Sequence, residues 1–293
     1  MNKHFLVTVS NDYAHLTGVE FICSFFTQLS EHQITLLHIC RLDAGDMNKD
    51  LMKMWDNPDD LVSGKPTVGA RKALEQATRL LSNSNMAVEQ MITKTFPERY
   101  GKIRDILQEG SGGLYDAIIL GKRASYTLQW FFEKPADETA KALAGDSSLT
   151  VPLWICPETE FGRKHVLVCV DGSEGALRAV DHVGYILSRQ KQHSVTLFNV
   201  ENGAGFDSER IFQQAIRTLH EHQISDERIR TDTTWGLNVA GTISGYADKN
   251  GYAAIAVGLE GGDQGILKNM KLAGDTTAGL IERAEKISLW CCP

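Results

Sequence analysis

The sequence predicts an α/β protein built from two tandem repeats, each a five-stranded parallel sheet with helices on both faces. Three observations predict it. Short apolar runs recur in the same order in both halves, helical spacing separates them, and a length of 293 residues suits two ordinary domains. The run His4-Phe5-Leu6-Val7-Thr8-Val9 returns as His165-Val166-Leu167-Val168-Cys169-Val170. Ile34-Thr35-Leu36-Leu37-His38-Ile39 returns as Val195-Thr196-Leu197-Phe198-Asn199-Val200 at the same offset. Tyr115-Asp116-Ala117-Ile118-Ile119-Leu120-Gly121 matches Tyr252-Ala253-Ala254-Ile255-Ala256-Val257-Gly258. Leu153-Trp154-Ile155-Cys156-Pro157 matches Leu289-Trp290-Cys291-Cys292-Pro293. These runs are continuous, apolar and rich in β-branched residues, the pattern of strands buried on both faces of a parallel sheet.

Helical spacing fills the gaps, over 12–30, 67–84 and 98–109 in the first half and 173–190, 207–223 and 238–250 in the second. A weaker third strand fits at 86–94 and again at 227–233, which completes five strands per repeat. Strand alternating with helix makes βαβ units, whose right-handed crossovers place helices on both sheet faces. The offset between repeats falls from 161 residues (34 against 195) to 137 (115 against 252). The first half therefore carries an insertion, expected at 43–66. This polar stretch holds Pro58, Gly64 and Pro66, together with Leu51, Met52, Met54 and Trp55 that could dock a short helix on a partner. The domains are then 1–160 and 161–293, joined by a linker at 157–164.

Composition narrows the function classes. A net charge of −7 without a basic stripe argues against a nucleic-acid backbone as partner. No apolar run approaches the roughly 20 residues that span a bilayer, and the run at 5–10 is too short for a signal-peptide core. The expected location is cytoplasmic. Cys23, Cys40, Cys156, Cys169, Cys291 and Cys292 form no Cys-x-x-Cys pair, which suits reduced core thiols.

The second repeat opens Val168-Cys169-Val170-Asp171-Gly172-Ser173-Glu174-Gly175-Ala176-Leu177-Arg178-Ala179. This resembles the start of a universal stress protein (UspA-type) domain, and the likeness covers nearly the whole chain, most strongly its second half. The resemblance implies an adenine nucleotide alpha hydrolase-like fold, a flavodoxin-like sandwich, and a stress-response role. Members either bind ATP or AMP or have lost that ability, and most have no established catalytic reaction. Binding members carry an Asp ending strand one and a Gly-x2-Gly-x9-Gly-Ser/Thr loop after strand four. Glycines let the backbone approach phosphate oxygens, and the following helix N-terminus offers free N–H donors.

Carried onto this chain, the resemblance makes Asp171, Val200, Gly258, Gly261, Gly274 and Thr276 the candidate nucleotide-binding residues. ATP or AMP is the expected ligand, with Mg²⁺ as its candidate companion. The match is partial. Twelve residues separate Gly261 from Gly274, and Asp275 stands where a hydroxyl should donate to phosphate, so that Lys268, Lys271 or a metal would have to offset its charge. The first repeat departs further: Ser10 occupies the Asp171 position, Gly121-Lys122-Arg123-Ala124 lacks the second glycine, and Ala136-Asp137 replaces Gly274-Asp275. If either half binds nucleotide, it is the second.

Plainer readings stand beside these. Asp171 or Ser173 could simply cap the following helix, and a cap explains both Asp275 and Asp137 without any ligand. The glycine loop could be an empty, flexible connection. Cys291 and Cys292 point to opposite sheet faces, which separates the thiols. His220 and His222 do not share a helical face, which leaves them as surface residues. Three functions compete: a nucleotide-responsive protein, a scaffold that acts through protein contacts without nucleotide, and an adenylate-forming enzyme. The last needs a Ser-Gly-Gly-x-Asp-Ser loop that neither repeat carries, and no catalytic or metal-ligating constellation is legible. The resemblance also implies that the last strands of the two repeats pair antiparallel, with Trp154 and Trp290 near the seam. Such an intramolecular pseudo-dimer still has free helical faces through which whole chains could dimerise.

Overall fold

A computed structural model describes residues 2–40, 66–121, 150–158, 160–201, 208–259, 275–283 and 285–293. The insertion expected at 43–66 falls almost wholly outside the described residues. The first repeat runs β1 (His4–Thr8), α1 (Thr17–Phe25), β2 (Gln33–Cys40), α2 (Val68–Asn83), β3 (Met91–Pro97), α3 (Lys102–Gly112), β4 (Ala117–Gly121) and β5 (Leu153–Cys156). The second runs β6 (Lys164–Cys169), α4 (Glu174–Leu187), β7 (Val195–Glu201), α5 (Ser208–Glu221), β8 (Ile229–Trp235), α6 (Val239–Lys249), β9 (Tyr252–Gly258), α7 (Asp275–Arg283) and β10 (Ser288–Cys292).

The strands form one ten-stranded sheet in the order β3-β2-β1-β4-β5-β10-β9-β6-β7-β8. Every pairing is parallel except β5 with β10, where Leu289, Trp290 and Cys291 face Ile155, Trp154 and Leu153. The seam is thus the antiparallel one expected from the repeat, and it leaves neither last strand as an open apolar edge.

Period-two side-chain alternation divides each strand between two cores. Phe5, Val7, Trp154, Val166, Val168 and Trp290 belong to the layer under α1, α2, α4 and α5. Leu6, Leu153, Ile155, Leu167, Leu289 and Cys291 belong to the opposite layer, under α3, α6 and α7. Cys292 lies in the first layer, so the adjacent thiols do part to opposite faces. The helices supply matching stripes: Ala73, Leu74, Ala77 and Leu81 of α2, and Ala179, Val180, Val183, Ile186 and Leu187 of α4. Thr67, Ser173 and Asn238 cap α2, α4 and α6 by accepting from the backbone N–H three residues on, at 3.0–3.1 Å.

Two sequence expectations shift in register. The third strands begin at Met91 and Ile229, later than expected, because single 3₁₀ turns at Val88–Gln90 and Asp226–Arg228 precede them. Met86 and Ile224 are buried and apolar, but they close the helix–strand connection instead of opening the strand. The first helix is also shorter than 12–30. Residues 10–16 form a turn in which Asp12 accepts from the Ala14 N–H at 3.0 Å and contacts His15 at 2.9 Å.

Helices cross the seam in both directions. Phe21 and Phe25 of α1 meet the ring of Trp290 edge-on, with centroids at 6.5 and 5.4 Å. From the other side, His182 of α4 accepts at Nε2 from the Trp154 indole N–H at 3.0 Å. Phe25 also stacks on His193 at 4.0 Å. Tyr185 donates to the Asp116 carboxylate at 2.8 Å, and Lys3 Nζ sits 4.3 Å above the Tyr185 ring.

Candidate functional site

In an open α/β sheet, ligands bind beyond the carboxyl ends of the strands, where the strand order reverses. In the second repeat this point lies between β6 and β9, and a cavity of about 170 Å³ opens there. Its walls come from the ends of β6 (Cys169), β7 (Phe198 to Val200) and β9 (Val257 and Gly258), and from the starts of α4, α6 and α7.

Four of the six candidate binding residues line this one cavity: Asp171, Val200, Gly258 and Thr276. Gly261 and Gly274 lie outside the described residues, as does the loop between them with Lys268 and Lys271. Sequence reasoning missed Asn199, Ser173 and Thr277, which also line it. A signal for Asn199 was present, since it is the polar residue inside the apolar run Val195–Val200. Thr277 is buried and directly follows Thr276, so the first turn of α7 brings two hydroxyl residues to the cavity.

Asp171 does not occupy the cap position. Ser173 is the N-cap of α4, and Asp171 accepts the Ser173 N–H at 2.9 Å in an Asx-type turn. Gly172 between them has φ of +85°, which strains any side-chain-bearing residue. In the first repeat Ser10 accepts the Asp12 N–H at 3.2 Å, the same two-residue reach. A hydroxyl is therefore enough to make this turn, and the exposed carboxylate of Asp171 adds a charge at the cavity mouth that the turn itself does not need.

Gly258 has a packing role of its own, with or without a ligand. A Cβ there would fall 2.0 Å from the carbonyl carbon of Gly175 and 2.1 Å from its oxygen. The missing side chain is what lets α4 press backbone to backbone against the end of β9. The first repeat has the milder version, with Gly18 on α1 and Gly121 on β4, where added Cβ atoms would meet neighbours at 3.2 and 3.1 Å. Arg178 fixes the same corner by donating to the Leu259 carbonyl at 3.0 Å and the Pro293 carbonyl at 2.6 Å.

The chemistry of the wall is mixed. Phe198, Val200, Val239, Ile243 and Val257 give it apolar surface, while Asn199, Ser173, Thr276 and Thr277 give hydroxyl and amide groups. Burial pushes the Cys169 thiol up to about 12, helped by the charge of Asp171, so it stays protonated and inert at neutral pH. Among the described residues no group of three or more His, Cys, Asp or Glu side chains could hold a metal ion. The histidines read as surface residues each have a carboxylate partner: His220 meets Asp226 at 2.8 Å, and half-buried His222 meets Asp181 at 2.7 Å. No described helix is long and apolar enough to cross a membrane.

No protein-family model matches the sequence, and no curated protein matches it. Solved structures do. A protein from Pseudomonas aeruginosa UCBPP-PA14 assigned as a universal stress protein superposes with a TM-score of 0.52 at 15% identity, over 99% of this chain and 93% of its own. A protein of unknown function from Pseudomonas aeruginosa PAO1 gives 0.53 at 15% identity, over 99% and 92%. A universal stress protein in complex with cAMP covers 45% of this chain and 97% of its own at 21% identity, with a TM-score of 0.37. The chain therefore has the tandem α/β fold of universal stress proteins.

Proposed function

We propose that the second repeat binds an adenine nucleotide, ATP or AMP, in the cavity between β6, β7, β9 and α7. The first repeat then serves as its nucleotide-free partner in a non-catalytic stress-response protein. The observation that carries the reading is the convergence of Asp171, Val200, Gly258 and Thr276 on one cavity at the strand-order reversal. The apolar wall suits a base, and the hydroxyls at the start of α7 suit a phosphate or ribose, because the first-turn N–H groups of a helix have no intrahelical partner. Asp171 is the one carboxylate in the described lining, so Mg²⁺ would arrive on the nucleotide phosphates rather than in a protein cage.

The test uses the full chain purified without added nucleotide. Small molecules released on denaturation are identified by mass, and the emptied protein is titrated calorimetrically with ATP and AMP. Binding is expected in the wild type and is expected to vanish in Val200→Trp, which fills the cavity. The reading is overturned if the wild type binds neither nucleotide at millimolar concentration, or if the filled variant binds as well as the wild type.

A further inference from the structure

Among the described residues the sheet ends in two open edges, β3 and β8, and the two are built differently. Edge strands discourage pairing with another chain by a bulge, a proline, or a charge that would meet its own copy. β3 carries two of these devices: its single charge, Lys94, sits at its centre, and it ends in Pro97. β8 carries none of them. It has no proline, pairs with β7 without a break from Ile229 to Trp235, and holds two charges of opposite sign, Arg230 and Asp232.

The backbone fixes which groups of β8 face outward. A residue in a parallel strand turns its N–H and C=O to the same side, and that side alternates along the strand. The Gly236 N–H donates to the Glu201 carbonyl at 3.0 Å, so the even-numbered residues of β8 bond to β7. Ile229, Thr231, Thr233 and Trp235 therefore turn their N–H and C=O groups away from it. Arg230, Thr231 and Trp235 are exposed, Trp235 to 65%. Arg230 makes no ion pair among the described residues. On β3 the Glu98 N–H donates to the Cys40 carbonyl at 2.7 Å, which by the same rule turns Pro97 outward, where it offers no N–H.

We propose that β8 is the interface through which two copies of this chain associate, paired antiparallel across a twofold axis at Thr231. In that register Thr231 meets Thr231 and Ile229 meets Thr233 as hydrogen-bonded pairs, all through outward-facing groups. Arg230 of each copy lies opposite Asp232 of the other at the non-hydrogen-bonded positions, where Cα atoms approach to about 4.5 Å. The twofold axis makes both ion pairs at once. Asp232 already accepts from the Tyr246 hydroxyl and the Thr233 N–H, one at each oxygen, and each oxygen keeps a second lone pair for Arg230. Moving the axis to Asp232 would set carboxylate against carboxylate. Moving it to Thr233 would leave Arg230 without a charged neighbour.

The test is the mass of the full chain by light scattering after gel filtration, at high micromolar concentration. The wild type is expected at twice the 32.4 kDa of one chain. Thr231→Pro removes an outward N–H at the axis and no bond to β7, and is expected to run as a monomer. Arg230→Asp sets like charges against each other twice and should raise the dissociation constant roughly tenfold or more. Thr93→Pro, the equivalent change on β3, should leave the dimer unchanged. A monomeric wild type overturns the proposal, as does a dimer that survives Thr231→Pro. Larger, open-ended species that Thr93→Pro breaks would mean that β3 pairs with β8 of the next copy, and they overturn it too. Circular dichroism checks that the variants fold. If Thr231→Pro does not, Arg230→Asp decides, because it changes one exposed side chain, and an unaltered dissociation constant then overturns the proposal.

Discussion

Trp154 and Trp290 are direct register partners across the β5–β10 seam, and their indole rings stack at 3.9 Å with only 2° between the planes. Both are fully buried, and each indole N–H is satisfied, by His182 Nε2 at 3.0 Å and by Ser288 Oγ at 3.1 Å. The pair sits where the two repeats become one sheet, so it packs against helices from both. Replacing Trp290 with Ala should lower the unfolding free energy by about 3–5 kcal/mol, as for other large-to-small core changes. Urea denaturation followed by circular dichroism measures it. An unchanged midpoint would mean that the seam is not part of the cooperative core.

Buried histidines make the fold sensitive to acid. Burial pushes His182 down to about 3, with the charge of Lys3 adding to it, and holds His193 and His32 at about 4. His182 must be neutral with its proton on Nδ1, because the Trp154 N–H can only donate. Above pH 6.5 these rings are neutral in both the folded and unfolded chain and add no pH dependence. Between about pH 6.5 and 4 the unfolded chain binds protons that the folded chain refuses, so stability falls as pH falls. Below about pH 4 the folded His193 and His32 also protonate, below about pH 3 His182 does, and the loss levels off. Urea midpoints should therefore drop steadily from pH 7 to pH 4, and His182→Gln should flatten the slope. A midpoint independent of pH over that range would refute the account.

Glycine substitutions should separate close packing from mere flexibility. Gly258→Ala forces a Cβ into the Gly175 backbone, which a side-chain rotation cannot relieve, and should cost roughly 1–3 kcal/mol. Gly245 lies exposed inside α6 with nothing within 4 Å of an added Cβ. Gly245→Ala should instead stabilise by about 0.5–1 kcal/mol, through the helix preference of alanine. Thermal midpoints of both variants against wild type give the answer, and a stabilised Gly258→Ala would contradict the contact between α4 and β9.

Tyr185 ties the repeats by a polar contact. Its hydroxyl donates to Asp116, and the same carboxylate accepts the His4 N–H at 2.6 Å. Tyr185→Phe removes only the hydroxyl and should cost about 1–2 kcal/mol, since the acceptor is charged. Tyr185→Ala also removes the ring beneath Lys3 and should cost more. Denaturation curves that rank the two variants the other way would exclude this role.

Most of the fold was legible because duplication repeats its own evidence. Apolar runs such as Phe5–Val9 and Val166–Val170 confirmed each other, and the offset located the extra chain between β2 and β4. The starts of β3 and β8 were less legible, because both strands lie at the ends of the sheet and carry mixed sequences such as Ile229-Arg230-Thr231-Asp232. Their positions are set by pairing with β2 and β7 rather than by their own pattern. At the candidate site, Asp171 and Val200 could be located from the opening of each strand–helix unit. At Gly258 the close approach of α4 could not be read in advance, since a glycine that admits a helix backbone looks the same in sequence as one that admits a phosphate. Asn199 did stand out as the polar residue of the apolar run Val195–Val200, but that its amide is paired at one end and not at the other shows only in three dimensions.

The antiparallel seam also decides which way each half faces. Because β5 and β10 run in opposite directions, every strand of the first repeat opposes every strand of the second. The strand ends that carry the cavity of the second repeat therefore lie along one rim of the sheet, and the matching ends of the first repeat lie along the other. Five strand spacings separate β1 from β6, about 24 Å along the sheet. One small molecule cannot touch both rims. Among the described residues the halves meet through the stacked indoles, the helices that straddle them and the Tyr185–Asp116 bond, so a displacement in one half reaches the other across that seam like a push on a shared hinge plate.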